Sequence, residues 1–100
     1  MAGLYGLLMA LQPGPVVELN RAVAVAMLGG PEHGLALVDE IERRGDLVGY
    51  HLLHATRADM LRRLRRRDEA AAAYSRALEL AGNPVERRFL ERRLAELASA

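Results

Sequence analysis

Two histidines three positions apart, His51 and His54, are the first residues in this 100-residue chain whose chemistry invites a site. On one helix face they would offer two imidazole nitrogens to a metal ion, with Asp59 as an acidic candidate nearby. His51 and Asp59 stand about two helical turns apart, too far for an ordinary side-chain pair along one helix. The histidines are therefore assigned to packing at the start of a helix, and neither a metal nor any other cofactor is expected. Nucleophilic chemistry has less to build on. Ser75 and Ser99 are the only serines, neither sits near a histidine, and cysteine is absent, which removes thiol catalysis and disulfides together. Gly29-Gly30 lacks the Lys-Ser/Thr and the strand context of a phosphate-binding loop. The expectation is a protein that is not an enzyme.

Arginine is the other candidate. Arg62, Arg63, Arg65, Arg66 and Arg67 crowd five guanidinium groups into six positions, enough to meet phosphates or an acidic protein surface. The alternative is a solvated helix end, where the dipole favours each cation by about 0.3–1 kcal/mol and Asp68-Glu69 opens the next helix with the opposite sign. No aromatic residue interleaves with these arginines, which argues against single-stranded nucleic acid. A formal net charge of +1, from 14 basic and 13 acidic residues, gives no domain-wide field for DNA or anionic lipid. Arg21 and Arg57 differ in kind. Each interrupts a compact helix, Arg21 within the nearly all-apolar stretch 16–28, and a charge in such a place requires a partner. Both are expected to form structural ion pairs, with Glu18, Asp39, Glu40 or Asp59 as partners. In the last helix Arg87–Glu91 and Arg92–Glu96 are spaced as four-apart pairs of a charged outer face.

The elements that hold these residues are helices. Hydrophobic residues make up 51% of the chain and charged ones 27%, the balance of one soluble globular domain. Turn signals at Pro13-Gly14-Pro15, Gly29-Gly30-Pro31, Gly45-Asp46, Arg65–Asp68 and Gly82-Asn83-Pro84 divide the sequence into six pieces of helical length. Residues 1–11 are apolar but lack the basic flank of a signal peptide, and read as a short buried helix carrying Leu4, Leu7, Leu8 and Leu11. No apolar run approaches the roughly 18 residues that span a bilayer.

The helices repeat. Arg21 and Arg57 lie 36 positions apart, and at that offset Ala22 meets Ala58 and Leu28 meets Leu64. Such a period describes helical hairpins that must stack to share a core. Residues 68–80, with small Ala70, aromatic Tyr74 and small Ala77, resemble the second helix of a tetratricopeptide repeat, and Ala58 stands where the first helix of such a repeat needs Gly or Ala. Arg65 stands where the turn usually has Gly. Gly34, Val38 and Ile41 make a weaker version in the first unit. The fold this implies is all-α: one tetratricopeptide-like domain over 1–100, with units about 16–44 and 50–82 and a capping helix about 84–98.

Three blocks, residues 13–26 (PGPVVELNRAVAVA), 49–59 (GYHLLHATRAD) and 83–90 (NPVERRFL), are similar in content and order to the C-terminal extension of extracytoplasmic-function (ECF) RNA polymerase sigma factors of the sigma-70 family. The resemblance implies a cytoplasmic regulatory module of transcription initiation. Its partners would be the sigma regions of the same full-length chain, RNA polymerase, or another regulatory protein, with no direct DNA binding and no membrane contact from these residues. Neither promoter-binding sigma region is present in the 100 residues. In that family the first helix would complete a hairpin begun upstream, so its face could mediate self-association. The alternative is a free-standing tetratricopeptide adaptor unrelated to transcription.

Groove-facing positions of the repeat, transferred to this chain, select Val16, Leu19, Val23, Ala26 and Met27 from the first unit and Leu52, Ala55, Asp59, Arg62 and Arg63 from the second. One end of that surface is apolar and the other charged. It would either accept a partner helix or be covered by the protein's own helices.

Overall fold

Three prolines fix where helices begin, because a first-turn proline gives up a backbone donor that the helix would not use. The computed structural model describes residues 14–99. Five helices form there: α1 (Pro15–Gly29), α2 (Pro31–Arg43), α3 (His51–Arg63), α4 (Arg67–Leu80) and α5 (Pro84–Ser99). Prolines head α1, α2 and α5, and Asn83 Oδ1 accepts from the amides of Val85 (2.8 Å) and Glu86 (3.4 Å) to cap α5. No strand occurs among the described residues. The count is five where six were expected; the remaining one, expected over residues 1–11, lies outside the described residues, as does the expected self-association face of Leu4, Leu7, Leu8 and Leu11.

Two helix ends use the same left-handed device. After α2, Asp46 N donates to Ile41 O and Gly45 N to Glu42 O; after α3, Arg66 N donates to Leu61 O and Arg65 N to Arg62 O. Both close with the sixth-to-first and fifth-to-second bonds that satisfy the last carbonyls of a helix. The pivot is Gly45 (φ 85°) in one case and Arg65 (φ 62°) in the other. Left-handed backbone is strained for a residue with a Cβ, so Arg65 holds a position better suited to glycine.

Each helix packs chiefly on its chain neighbours, α1 on α2, α2 on α3, α3 on α4 and α4 on α5. Two antiparallel pairs, α1/α2 and α3/α4, are thus stacked in order with α5 laid on the end. Small residues set the spacing. Ala22 and Ala26 of α1 meet Gly34 of α2, and Ala58 of α3 is buried with Ala70, Ala73 and Ala77 of α4. Tyr74, 1% exposed, is the largest fully buried side chain, and burial of such a group contributes roughly 1.5–3 kcal/mol.

The ion pairing expected of the two repeat-position arginines divides. Arg57 Nε lies 2.7 Å from Asp39 Oδ1 and ties α3 to α2. Arg21 does not sit in the core: it is exposed, and Glu18, its expected partner, accepts instead from Arg44 at 2.7 Å. The reason is angular. α1 buries Leu19, Ala22 and Ala26, and a residue adjacent to Ala22 points about 100° away from that stripe. On α5, Arg93 rather than Arg92 pairs with Glu96 (3.0 Å), and Arg87 donates to the carbonyls of Leu78 and Ala81 rather than to Glu91. Among the described residues no helix is long and apolar enough to cross a membrane.

Candidate docking groove

An open cleft of about 240 Å³ lies among α1, α3 and α5, with Tyr74 of α4 also in its lining. Its base is formed by residues withdrawn from solvent, Ala26, Met60 and Tyr74, and its rim by the exposed side chains of Val23, Met27 and Phe89. Thr56 and Ala55 line the α3 side. Met27 is 74% exposed and Phe89 43%. These are large apolar groups left to water at one place on the surface.

Part of the cleft's lining is charged. Asp59 Oδ1 accepts from Arg62 Nη2 at 2.7 Å, and Asp59 Oδ2 lies 3.0 Å from Arg63 Nε. Arg62 Nε donates to the Tyr74 hydroxyl at 3.3 Å. Burial pushes the Tyr74 phenol above its ordinary pKa while the Arg62 hydrogen bond works the other way, and the bond to Asp59 holds the Arg62 guanidinium above its own. A phenol kept protonated and a carboxylate engaged by two guanidinium groups make a fixed polar wall. On the α5 side the Arg93 guanidinium stands 5.1 Å from the centre of the Phe89 ring, a cation–π contact that holds the ring at the rim.

Expected groove residues separate into three groups. Val23, Ala26, Met27, Ala55, Asp59 and Arg63 line the cleft. Val16 and Leu52 are exposed but outside it, and Arg62 acts behind it through Asp59 and Tyr74. Leu19 is a correction: at 2% exposure it belongs to the core, on the stripe that α1 buries. Phe89, Met60, Thr56 and Tyr74 went unselected as groove residues: a repeat template carries no information on Phe89 of the end helix, and the other three lie outside the groove-facing positions it transfers.

The histidines serve as interhelix ties. His51 Nε2 lies 3.0 Å from Glu86 Oε2 of α5. His54 Nε2 is 2.7 Å from the carbonyl of Val48, so that nitrogen carries the proton, while Nδ1 lies 3.7 Å from Glu42. Among the described residues no three of His, Asp and Glu converge as metal ligands do. In the arginine cluster, Arg66 is bound twice to Glu69 (2.7 and 2.8 Å), which holds the Glu69 carboxyl below its usual value. Arg65 and Arg67 are exposed. A second cleft of about 290 Å³ opens between α1 and α2 beside Arg21, Val25 and Leu37; its carboxylates, Glu18 and Glu40, are already held by Arg44 and Arg43.

No family model matches the chain, and no solved structure matches it. An uncharacterized protein of Rhizobium meliloti (strain 1021) is similar, with 45% identity over 96 residues. That match covers 96% of this chain but 22% of the relative, so the chain spans about a fifth of that protein's length.

Proposed function

We propose that this chain is a non-catalytic docking module of an ECF-type RNA polymerase sigma factor, built as a tetratricopeptide-like stack of helical hairpins. In this reading it works in the cytoplasm, where it controls how the sigma regions of the same full-length chain engage RNA polymerase. The observation that carries the reading is the cleft among α1, α3 and α5, where exposed apolar side chains adjoin a fixed charged wall. Its polar groups are committed to one another, Asp59 to Arg62 and Arg63, and Tyr74 to Arg62, an arrangement suited to recognition and not to proton transfer. A 96-residue similarity lying within a much longer protein is what a module joined to other regions would produce. The link to transcription rests on the three sequence blocks at 13–26, 49–59 and 83–90.

The test is promoter-directed transcription by the full-length factor with and without the residues corresponding to 1–100. A change in output supports a regulatory module, and equal output from both refutes it. Reading the gene upstream of Met1 separates the leading account from a free-standing adaptor: in-frame sigma regions support the first, and a ribosome-binding site directly ahead of Met1 supports the second.

A further inference from the structure

We propose that residues 1–11 lie antiparallel along the outer face of α1, the face that carries Val17, Arg21, Ala24, Val25 and Leu28. The inference goes beyond the docking reading and does not depend on it. It starts from the repeat. α3 packs between α2 and α4, whereas α1 has α2 as its one extensive neighbour among the described residues. At the 36-residue period, Leu53, Arg57, Met60, Leu61 and Leu64 of α3 correspond to Val17, Arg21, Ala24, Val25 and Leu28 of α1, positions spaced as one helix face. In α3 that face is covered. Leu53, Met60 and Leu61 are buried and Leu64 packs on the core; α2 takes part in the cover, with Asp39 on Arg57 and Gly34 close to Met60. In α1 the same face is open: Ala24 and Arg21 are exposed, Val17 and Val25 half-buried, and Leu28 is 91% exposed. α1 thus presents to water the surface that a preceding helix covers in the second unit.

Residues 1–11 suit that place in composition, length and attachment. They contain Leu4, Leu7, Leu8 and Leu11, recurring as one apolar helix stripe, and no charged side chain. Eleven helical residues extend about 16 Å, which is also about the span from Val17 to Leu28. Only Gln12, Pro13 and Gly14 join the segment to α1, and so short a connection returns one helix beside the next. Leu11 then lies beside Val17 and Leu4 beside Ala24 and Val25, with the Arg21 stem between them and its guanidinium in water. A helix this short is marginal alone, so the α1 face is what orders it, and the tether supplies the effective concentration. The similarity to the Rhizobium protein leaves out at most four residues of this chain, so most of the segment lies within the related unit. A second copy fits less well, because two such faces paired about a two-fold axis would set Arg21 close to its symmetry mate. The cleft among α1, α3 and α5 stays open, since Val23 and Met27 stand on another side of α1.

The chain has no cysteine, so introduced thiols report without background. Ala24→Cys on α1 and Ala95→Cys on α5 make the same exchange at two exposed helix positions, and each full 100-residue variant is reacted with a water-soluble maleimide. Ala24→Cys should react at least about tenfold more slowly than Ala95→Cys, because its reaction waits on the segment lifting away. Adding Leu4→Asp and Leu8→Asp should bring the two rates together. A second measurement needs no charged substitution: Leu4→Cys is combined with Ala24→Cys and, separately, with Val25→Cys, and each chain is oxidised. At least one pair should close within a single chain, as a Cα separation below about 7 Å allows, and Leu4→Cys with Ala95→Cys should not. Ala24→Cys reacting as fast as Ala95→Cys, protection that survives the two aspartates, or disulfides that form only between chains would each overturn the inference. Protection that fades on dilution would assign the face to a second copy and overturn it as well.

Discussion

Gly34→Ala puts two well-known effects in opposition. In a helix interior, alanine is favoured over glycine by about 0.8–1 kcal/mol, so exchange at this position of α2 would stabilise an isolated helix. In the folded chain a Cβ on residue 34 would stand 2.5 Å from Ala26 Cβ, 2.8 Å from Ala22 O and 2.9 Å from Met60 Cε. Carbon atoms rest about 3.5–4.0 Å apart, so the shortfall at Ala26 Cβ is about 1–1.5 Å. The Met60 methyl can swing aside, but the other two atoms belong to the backbone and the shortest side chain of α1, and only a parting of α1 from α2 relieves them. Overpacking of this kind costs roughly 1–3 kcal/mol. Separating the helices also loosens Leu35 and Val38, both buried in the shared core, which puts the cost in the upper half of that range. The net loss is about 1–2 kcal/mol, and a domain of this size shifts about 4–8 °C in Tm per kcal/mol. Circular dichroism melts should show Tm lowered by roughly 5–15 °C. Gly29→Ala is the control, since a Cβ there meets only His33 at 3.6 Å or beyond and should move stability by less than about 0.5 kcal/mol. A Gly34→Ala variant that melts several degrees above the unaltered chain would refute the close approach of α1 and α2.

Three further expectations concern other contacts. Arg57→Ala should cost about 1 kcal/mol through loss of the partly buried Asp39 pair, while Arg21→Ala at its exposed position should stay within about 0.5 kcal/mol; urea titrations of the two variants that rank them the other way would contradict the placement of α1. Tyr74→Ala removes the largest fully buried side chain and should cost roughly 3–5 kcal/mol, with Tyr74→Phe losing only about 1 kcal/mol for the Arg62 hydrogen bond; equal melting of the two variants would show that the ring is not what fills the gap. Arg65→Gly relieves left-handed strain of about 1–2 kcal/mol against a smaller rise in unfolded-chain entropy, so thermal melts should show a gain of up to about 1 kcal/mol; a loss would mean that the Arg65 side chain stabilises the fold.

Much of the helix order was legible because its punctuation is local. Pro15, Pro31 and the Asn83-Pro84 cap act on their own backbone and need no tertiary partner to be read. The small positions Gly34, Ala58, Ala70 and Ala77 were legible as well, because close helix approach tolerates few residue types. Facing was harder. α1 is apolar on nearly every side, with Val23, Met27 and Leu28 exposed and Leu19 buried, so hydrophobicity alone could not tell the core stripe from the groove rim. That ambiguity misplaced Leu19 and Arg21 together, since both follow from one rotation of the helix. Phe89 was hidden for a different reason. Its neighbour Leu90 is the single buried residue of α5, and two adjacent apolar residues on an end helix do not reveal which one turns inward. The Arg57–Asp39 pair and the histidine ties join residues from different helices, and only the packing order selects those partners.

The most direct test of the proposed sigma-factor reading is transcription from the full-length protein carrying Met27→Asp, beside a circular dichroism melt of the same substitution in the 100-residue chain. The docking proposal predicts a melt lowered by no more than a few degrees and a transcript yield altered by several-fold, because Met27 is 74% exposed and lines the proposed docking surface. Unchanged yield with a little-changed melt would contradict the proposal that the groove among α1, α3 and α5 regulates transcription.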